Sequence, residues 1–151
     1  GDQNLLDTVH KDPRRARGAA LSLVPTSTGA AKAIGQVLPE LSGRLEGTAV
    51  RVPVPNVSVI DLVCELKKNI SVDDINHEMS KASKGPMKGV LDINSAPLVS
   101  SDFNHNPHSS IFDTTQTQLI GKKMARVMSW YDNEWGFANR MLDVAKAMGK
   151  N

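Results

Sequence analysis

The hydrophobic and polar positions divide the 151-residue chain into segments of distinct character. Residues 1–17 follow neither the two-residue repeat of a strand nor the 3.6-residue repeat of a helix. They end in a basic cluster, Lys11, Arg14, Arg15 and Arg17, broken by Pro13. A polar stretch of this length predicts an ordered loop, and long loops in small domains usually serve function or an interface. Residues 19–24 predict a short strand ending at Pro25. Thr26, Ser27 and Thr28 then precede an apolar-periodic stretch, which predicts a helix start. Ala30, Ala33, Ile34, Val37 and Leu38 can share one face of that helix, and Pro39 and Gly43 end it.

Residues 48–54 and 57–66 predict strands rich in β-branched residues, and Pro55-Asn56 between them predicts a hairpin turn. Residues 72–83 predict an amphipathic helix capped by Ser71, with Val72, Ile75, Met79 and Ala82 on one face. Gly85-Pro86 stops it. Short strands follow at 88–93, 109–114 and 123–131, with a loop over 101–108. A last helix over about 134–148 carries Phe137, Met141, Val144 or Ala145, and Met148 as its stripe. Loop, strand, helix, hairpin, helix, three strands and helix together predict an α+β domain. No G-x-G-x-x-G follows a strand, so no Rossmann domain is expected within these residues.

Composition narrows the function classes. With 40% hydrophobic and 23% charged residues the chain reads as an ordinary globular protein. No apolar run reaches the roughly 18 residues of a membrane span. The polar start Gly1-Asp2-Gln3-Asn4 is not a signal peptide, and its lack of methionine fits a cut or processed start. A net charge of +2 is too mild to argue for nucleic acid, and 4% aromatics leave little for stacking on bases. A single cysteine cannot form an internal disulfide, which fits a reducing, cytoplasmic compartment.

Three segments could carry chemistry. Pro25-Thr26-Ser27-Thr28-Gly29 at a helix start offers free N–H groups and a positive helix end to an anion. The same residues also serve as a plain N-cap, their commoner use. Arg51, between Val50 and Val52, needs an anionic partner if it faces inward and none if it faces solvent. Ser129-Trp130-Tyr131-Asp132-Asn133-Glu134-Trp135-Gly136-Phe137 sets aromatics and amides at a strand-to-helix junction. There Asn133 could meet a planar amide, or the segment could be aromatic core with Asp132 or Asn133 as cap. Cys64 reads as a core residue in an apolar strand, His10 and His77 as surface histidines, and His105 with His108 as too few ligands for a metal.

Taken in order, these segments closely resemble the glyceraldehyde-3-phosphate dehydrogenase family along essentially the whole chain. The resemblance rests on Asp2-Gln3, His10 to Arg17, Pro25 to Ala33, Arg51-Val52-Pro53, Pro55 to Val59 and Ser129 to Glu134. It implies a mixed, largely antiparallel sheet with helices on one face, a long N-terminal S-loop-like segment over 1–17 and a C-terminal helix. In that picture residues 1–133 are part of the catalytic domain, and 134–151 form a helix that docks on a Rossmann domain. The implied reaction is NAD-dependent aldehyde oxidation through a cysteine thioester, then attack by inorganic phosphate. Asp2 and Arg51 would hold the substrate's C3 phosphate. Arg15, Thr28 and Gly29 would hold inorganic phosphate. Asn133 would bond the nicotinamide carboxamide, beside Phe137 where many members have tyrosine.

The resemblance also implies homotetramers of whole subunits and a role in glycolysis. The family's nucleophilic cysteine and its histidine base would precede the residues matching Gly1-Asp2, so the chain alone is expected to be inactive. The erythrose-4-phosphate dehydrogenase branch is echoed in 103–109 and 135–141. The intact Ser27 to Lys32 segment favours the phosphorylating glyceraldehyde enzyme.

Overall fold

A computed structural model describes residues 4–149, so Gly1, Asp2, Gln3, Lys150 and Asn151 lie outside the description. The chain divides into two units, one up to Pro55 and one from Asn56 onward.

The first unit opens with a loop closed on itself. Thr8 N donates to Ala16 O at 2.8 Å, Ala16 N to Asp12 O at 3.0 Å and Ala19 N to Asn4 O at 2.9 Å. Gly18 N donates to Asp7 Oδ1 at 2.8 Å and seals the base. A side chain at Gly18 could not fit, because a Cβ there would lie 2.5 Å from Leu5 O. His10 is half-buried rather than a surface residue: its Nδ1 accepts from Asp12 N at 2.9 Å and fixes a turn.

The strand expected to end at Pro25 instead begins at Val24. Residues Ala19–Leu21 form a single 3-10 turn, and β1 (Val24–Ser27) runs straight through Pro25. Proline is tolerated because β1 belongs to a two-stranded ribbon with β2 (Thr48–Arg51), where each strand keeps an open edge. The pairing is antiparallel, with Val24 opposite Arg51 and Ser27 opposite Thr48. α1 (Ala30–Val37) follows Gly29, and a 3-10 turn over Pro39–Leu41 ends it. Its apolar residues Ile34, Val37 and Leu38 are exposed.

The expected hairpin is not formed. β2 pairs with β1, whereas β3 (Ser58–Glu65) belongs to the sheet of the second unit. Pro53 and Pro55 carry no N–H, so the chain between the strands cannot continue a ladder. Val57, with φ of 70°, then turns the backbone into β3.

The second unit holds the open mixed sheet. Its strand order is β3-β7-β5-β4, with β6 (Gln118–Ile120) also on β7. β7 (Met124–Tyr131) pairs antiparallel with β3, β5 (Ser110–Asp113) and β6, while β4 (Leu91–Asn94) and β5 run parallel. The architecture is therefore α+β with a largely antiparallel mixed sheet, and β6 is the strand the sequence pattern does not reveal. α2 (Val72–Lys84) starts as expected: Ser71 Oγ accepts from Asp74 N at 3.1 Å and Asp74 Oδ2 accepts from Ser71 N at 3.0 Å. Asn76 ties α2 to the sheet region through Thr114 O and the Thr117 hydroxyl. α3 (Asn133–Met148) closes the unit, and its stripe residues Phe137, Met141, Val144 and Met148 are exposed.

One buried cluster and a buried carboxylate hold the sheet. Val57, Phe103 and Ile111 pack with Trp130, whose ring stacks on Phe103 at 5.3 Å. Phe112 and Asp113 are almost fully enclosed, and Asp113 accepts from Trp130 Nε1 at 2.9 Å and from Thr115 N at 3.0 Å. Cys64 is half-buried on β3 opposite Ala125, less enclosed than its apolar neighbours suggest, because β3 lies at the sheet edge.

Candidate functional site

In the first unit, the ribbon decides where the candidate anion-binding residues stand. Thr28 and Gly29 lie just past the Ser27 end, at the start of α1. Thr28 Oγ1 accepts from Ala30 N at 3.2 Å, while the N-cap position itself is Gly29 and has no side-chain cap bond. Gly29 is exposed, with no atom within 4 Å of where a Cβ would sit, which leaves its backbone open to a ligand. Arg51 ends β2 at the opposite end of the ribbon, across from Val24, and is half-buried. Thr28 is four residues beyond Val24, so strand rise puts the two positions roughly 13 Å apart along the ribbon. Arg15 is half-buried in the self-closed loop. The structure thus separates Arg51 from the Thr28-Gly29 turn rather than bringing them together. Asp2 lies outside the described residues.

In the second unit, the strand-to-helix junction is organised by Asp132, which is 2% exposed. Asp132 Oδ1 accepts from Trp135 N at 2.8 Å and caps α3. Its Oδ2 accepts from His105 N at 2.9 Å and from Asn56 Nδ2 at 2.8 Å. Asn56 Nδ2 also reaches Asn104 Oδ1 at 2.7 Å. Burial alone would raise the Asp132 carboxyl, but the N–H bonds from Trp135 and His105 and the Asn56 amide outweigh it, so it is held below the usual carboxylate range. His105, itself at φ of 60°, sets its ring 4.8 Å from that of Trp135, tilted by 37°.

Asn133 is the first residue of α3 and half-buried. The Ser58 hydroxyl donates to its Oδ1 at 2.9 Å. Its Nδ2 makes no hydrogen bond among the described residues, so the amide presents two donors. Phe137 stands one turn further along α3 with its ring 66% exposed. A planar carboxamide fits this pair: the amide can bond it and the exposed ring can flank an aromatic heterocycle. The packing and capping reading of the junction therefore holds. Trp130 is core and Asp132 is the cap, while Asn133 and Phe137 remain available. Sequence reasoning missed Asn56, Ser58 and His105. The signal was two short polar residues flanking Val57 at the head of an apolar strand, where polar side chains need partners.

The fold is an α+β domain built on an open mixed sheet with a C-terminal helix. A family model described as "Glyceraldehyde 3-phosphate dehydrogenase, C-terminal domain" matches residues 1–133, and the chain belongs to that family. It is 60% identical over 150 residues to a glyceraldehyde-3-phosphate dehydrogenase of Cereibacter sphaeroides, covering 99% of this chain and 45% of that protein. It is 58% identical to one from Mycolicibacterium smegmatis, covering 99% of this chain and 44% of that protein. It is 55% identical to the chloroplastic glyceraldehyde-3-phosphate dehydrogenase B of Pisum sativum over 96% of this chain and 32% of that protein. The chain thus spans less than half the length of these curated relatives. Among the described residues no helix is long and apolar enough to cross a membrane.

Proposed function

We propose that the chain is the C-terminal part of an NAD-dependent, phosphorylating glyceraldehyde-3-phosphate dehydrogenase that acts in glycolysis in the cytoplasm as a homotetramer. Arg51, with Asp2, grips the C3 phosphate of the substrate. Arg15, Thr28 and Gly29 receive inorganic phosphate. Asn133 bonds the nicotinamide carboxamide of NAD, with Phe137 beside the ring. NAD, when bound, accepts hydride from the aldehyde carbon. The nucleophile and base come from residues outside 1–151, so this chain by itself turns over no substrate. The exposed stripe of α3 is suited to lie against the nucleotide-binding domain.

The observation that carries this reading is the separation along the β1–β2 ribbon. Arg51 and the Thr28-Gly29 turn stand at opposite ends, which suits two phosphates that must be held at once. Planar guanidinium groups are matched to phosphate, and a helix start adds N–H donors to one site. Holding phosphate near a reacting carbon contributes mainly by proximity.

The test is steady-state kinetics of the full-length subunit carrying these residues, with glyceraldehyde 3-phosphate, NAD and inorganic phosphate. Arg51→Ala should raise KM for the aldehyde phosphate by about 100-fold, and Arg15→Ala should raise it for inorganic phosphate instead. If both substitutions move the same constant, the two-site assignment is wrong. NADH formed by residues 1–151 alone would show that the chemistry lies within them.

A further inference from the structure

The head of β3 and the head of α3 are joined at two successive points. Asn56 bonds Asp132, and Ser58 bonds Asn133, two residues apart on one segment and adjacent on the other. β3–β7 register makes this meeting unavoidable, since Ser58 lies opposite Tyr131. Between the two points sits Val57, with φ of 70° and 4% exposure. A β-branched residue rarely holds this backbone conformation, and the strain persists only where packing enforces it. Here Phe103, Ile111 and Trp130 supply that packing. The core cluster therefore fixes the turn, and the turn fixes Asn56 and Ser58.

The consequence falls on the Asn133 amide. An unattached side-chain amide swings about its terminal torsion and can offer either its oxygen or its nitrogen. With Oδ1 attached to Ser58 Oγ, one end is pinned and the Nδ2 end is presented. We propose that Ser58 is the positioning residue that holds the Asn133 amide in one attitude, and through it sets which face of a bound nicotinamide ring receives hydride. This rests on the functional reading above. It adds a residue that touches neither cofactor nor substrate and acts only through Asn133.

The experiment follows the stereochemistry of hydride transfer in the full-length subunit. Glyceraldehyde 3-phosphate deuterated at the aldehyde carbon passes deuteride to C4 of NAD, and proton NMR of the reduced cofactor reads the ratio of the two C4 diastereomers. The unaltered subunit should give one diastereomer. Ser58→Ala should raise the minor one about tenfold, the bias that one ordinary hydrogen bond supplies, with a higher KM for NAD. Ser58→Thr keeps the hydroxyl and should restore the original ratio.

A subunit that transfers no deuteride when unaltered would overturn the functional reading itself. With the unaltered subunit active, single-face transfer retained in Ser58→Ala would overturn the proposal alone. Failure of Ser58→Thr to restore the ratio would overturn it too. So would a Ser58→Ala subunit that has lost its near-ultraviolet circular dichroism, since Ser58 would then be structural.

Discussion

The two units hold their candidate ligand-binding residues in opposite ways. In the first, Ala19, Val24 and Thr26 are the buried residues among those described, and Thr28, Gly29 and Arg51 stand on a two-stranded ribbon and a short helix. In the second, Asn133 opens α3 two residues past β7, a strand paired on both sides, and follows the buried carboxylate of Asp132. A two-stranded ribbon is marginal by itself, whereas a sheet of several strands over an apolar cluster is self-supporting. The difference teaches where each position gets its geometry. Phosphate is a symmetric, strongly charged ligand that loops and N–H groups can hold. A carboxamide must be met at one angle, and that asks for a rigid support.

Three outcomes would break or sharpen this contrast. The largest should come from Asp132→Ala. It removes the cap of α3 and leaves the Trp135 and His105 N–H groups and the Asn56 amide without their acceptor. The expected loss is about 3 kcal/mol, read as a lower urea midpoint at unchanged slope. A shift near zero would mean that water replaces the carboxylate and that the junction is less rigid than described.

Acid comes next. Asp113 would be raised by its burial, but bonds from the Thr115 hydroxyl, Trp130, the Thr115 N–H and Asn94 hold it below the usual carboxylate range, as Asp132 is held by its own donors. A carboxyl depressed in the folded state contributes stability that is complete above its unfolded value of about 3.9 and is lost as pH falls through its folded value. The second unit should therefore keep its stability from pH 7 down to about 5 and lose it below about 4. Tryptophan fluorescence reports this directly, because Trp130 and Trp135 both belong to the second unit. A transition centred between pH 6 and 7 would point to a histidine instead.

The smallest effect should be Gly18→Ala. The added methyl would meet Leu5 O, so the loop must open by a few tenths of an ångström or more. The cost should be about 1–2 kcal/mol and local, because the loop's backbone bonds run within residues 4–19. Hydrogen exchange should quicken over residues 4–18 and stay slow along β3 and β7. Equal loss in both regions would show that the effect of the substitution is not local.

Local rules carried part of the fold. Ser71 announces α2, Asp132 or Asn133 announces α3, and the β7 segment shows its apolar character directly. The hairpin failed because partner choice is not local. Two β-branched runs beside a turn signal look like a pair, but Pro53 and Pro55 end one ribbon and Val57 begins another sheet. The Pro25 boundary failed because proline breaks a central strand but not an edge. β6 was hidden because three residues are too few to show a repeat. Of the candidate site, Thr28, Gly29 and Asn133 are visible as residue types at element ends, and Arg51 as a lone charge within an apolar strand. Ser58 and Asn56 become functional candidates only when β3 is seen to pair with β7.

That pairing also sets an order of events in time. β3 is made before α2, β4, β5 and β6, yet its only ladder partner, among the described residues, is β7, which follows them all. Until β7 arrives, β3 is an eight-residue run with both hydrogen-bonding edges unfilled, and Val59, Ile60, Leu62 and Val63 stay exposed even after it pairs. Such distant pairing is slow, and an open apolar edge invites another chain in the meantime. The same register that sets Ser58 opposite Tyr131 thus leaves the nascent chain open to association at the stage when β3 waits for β7.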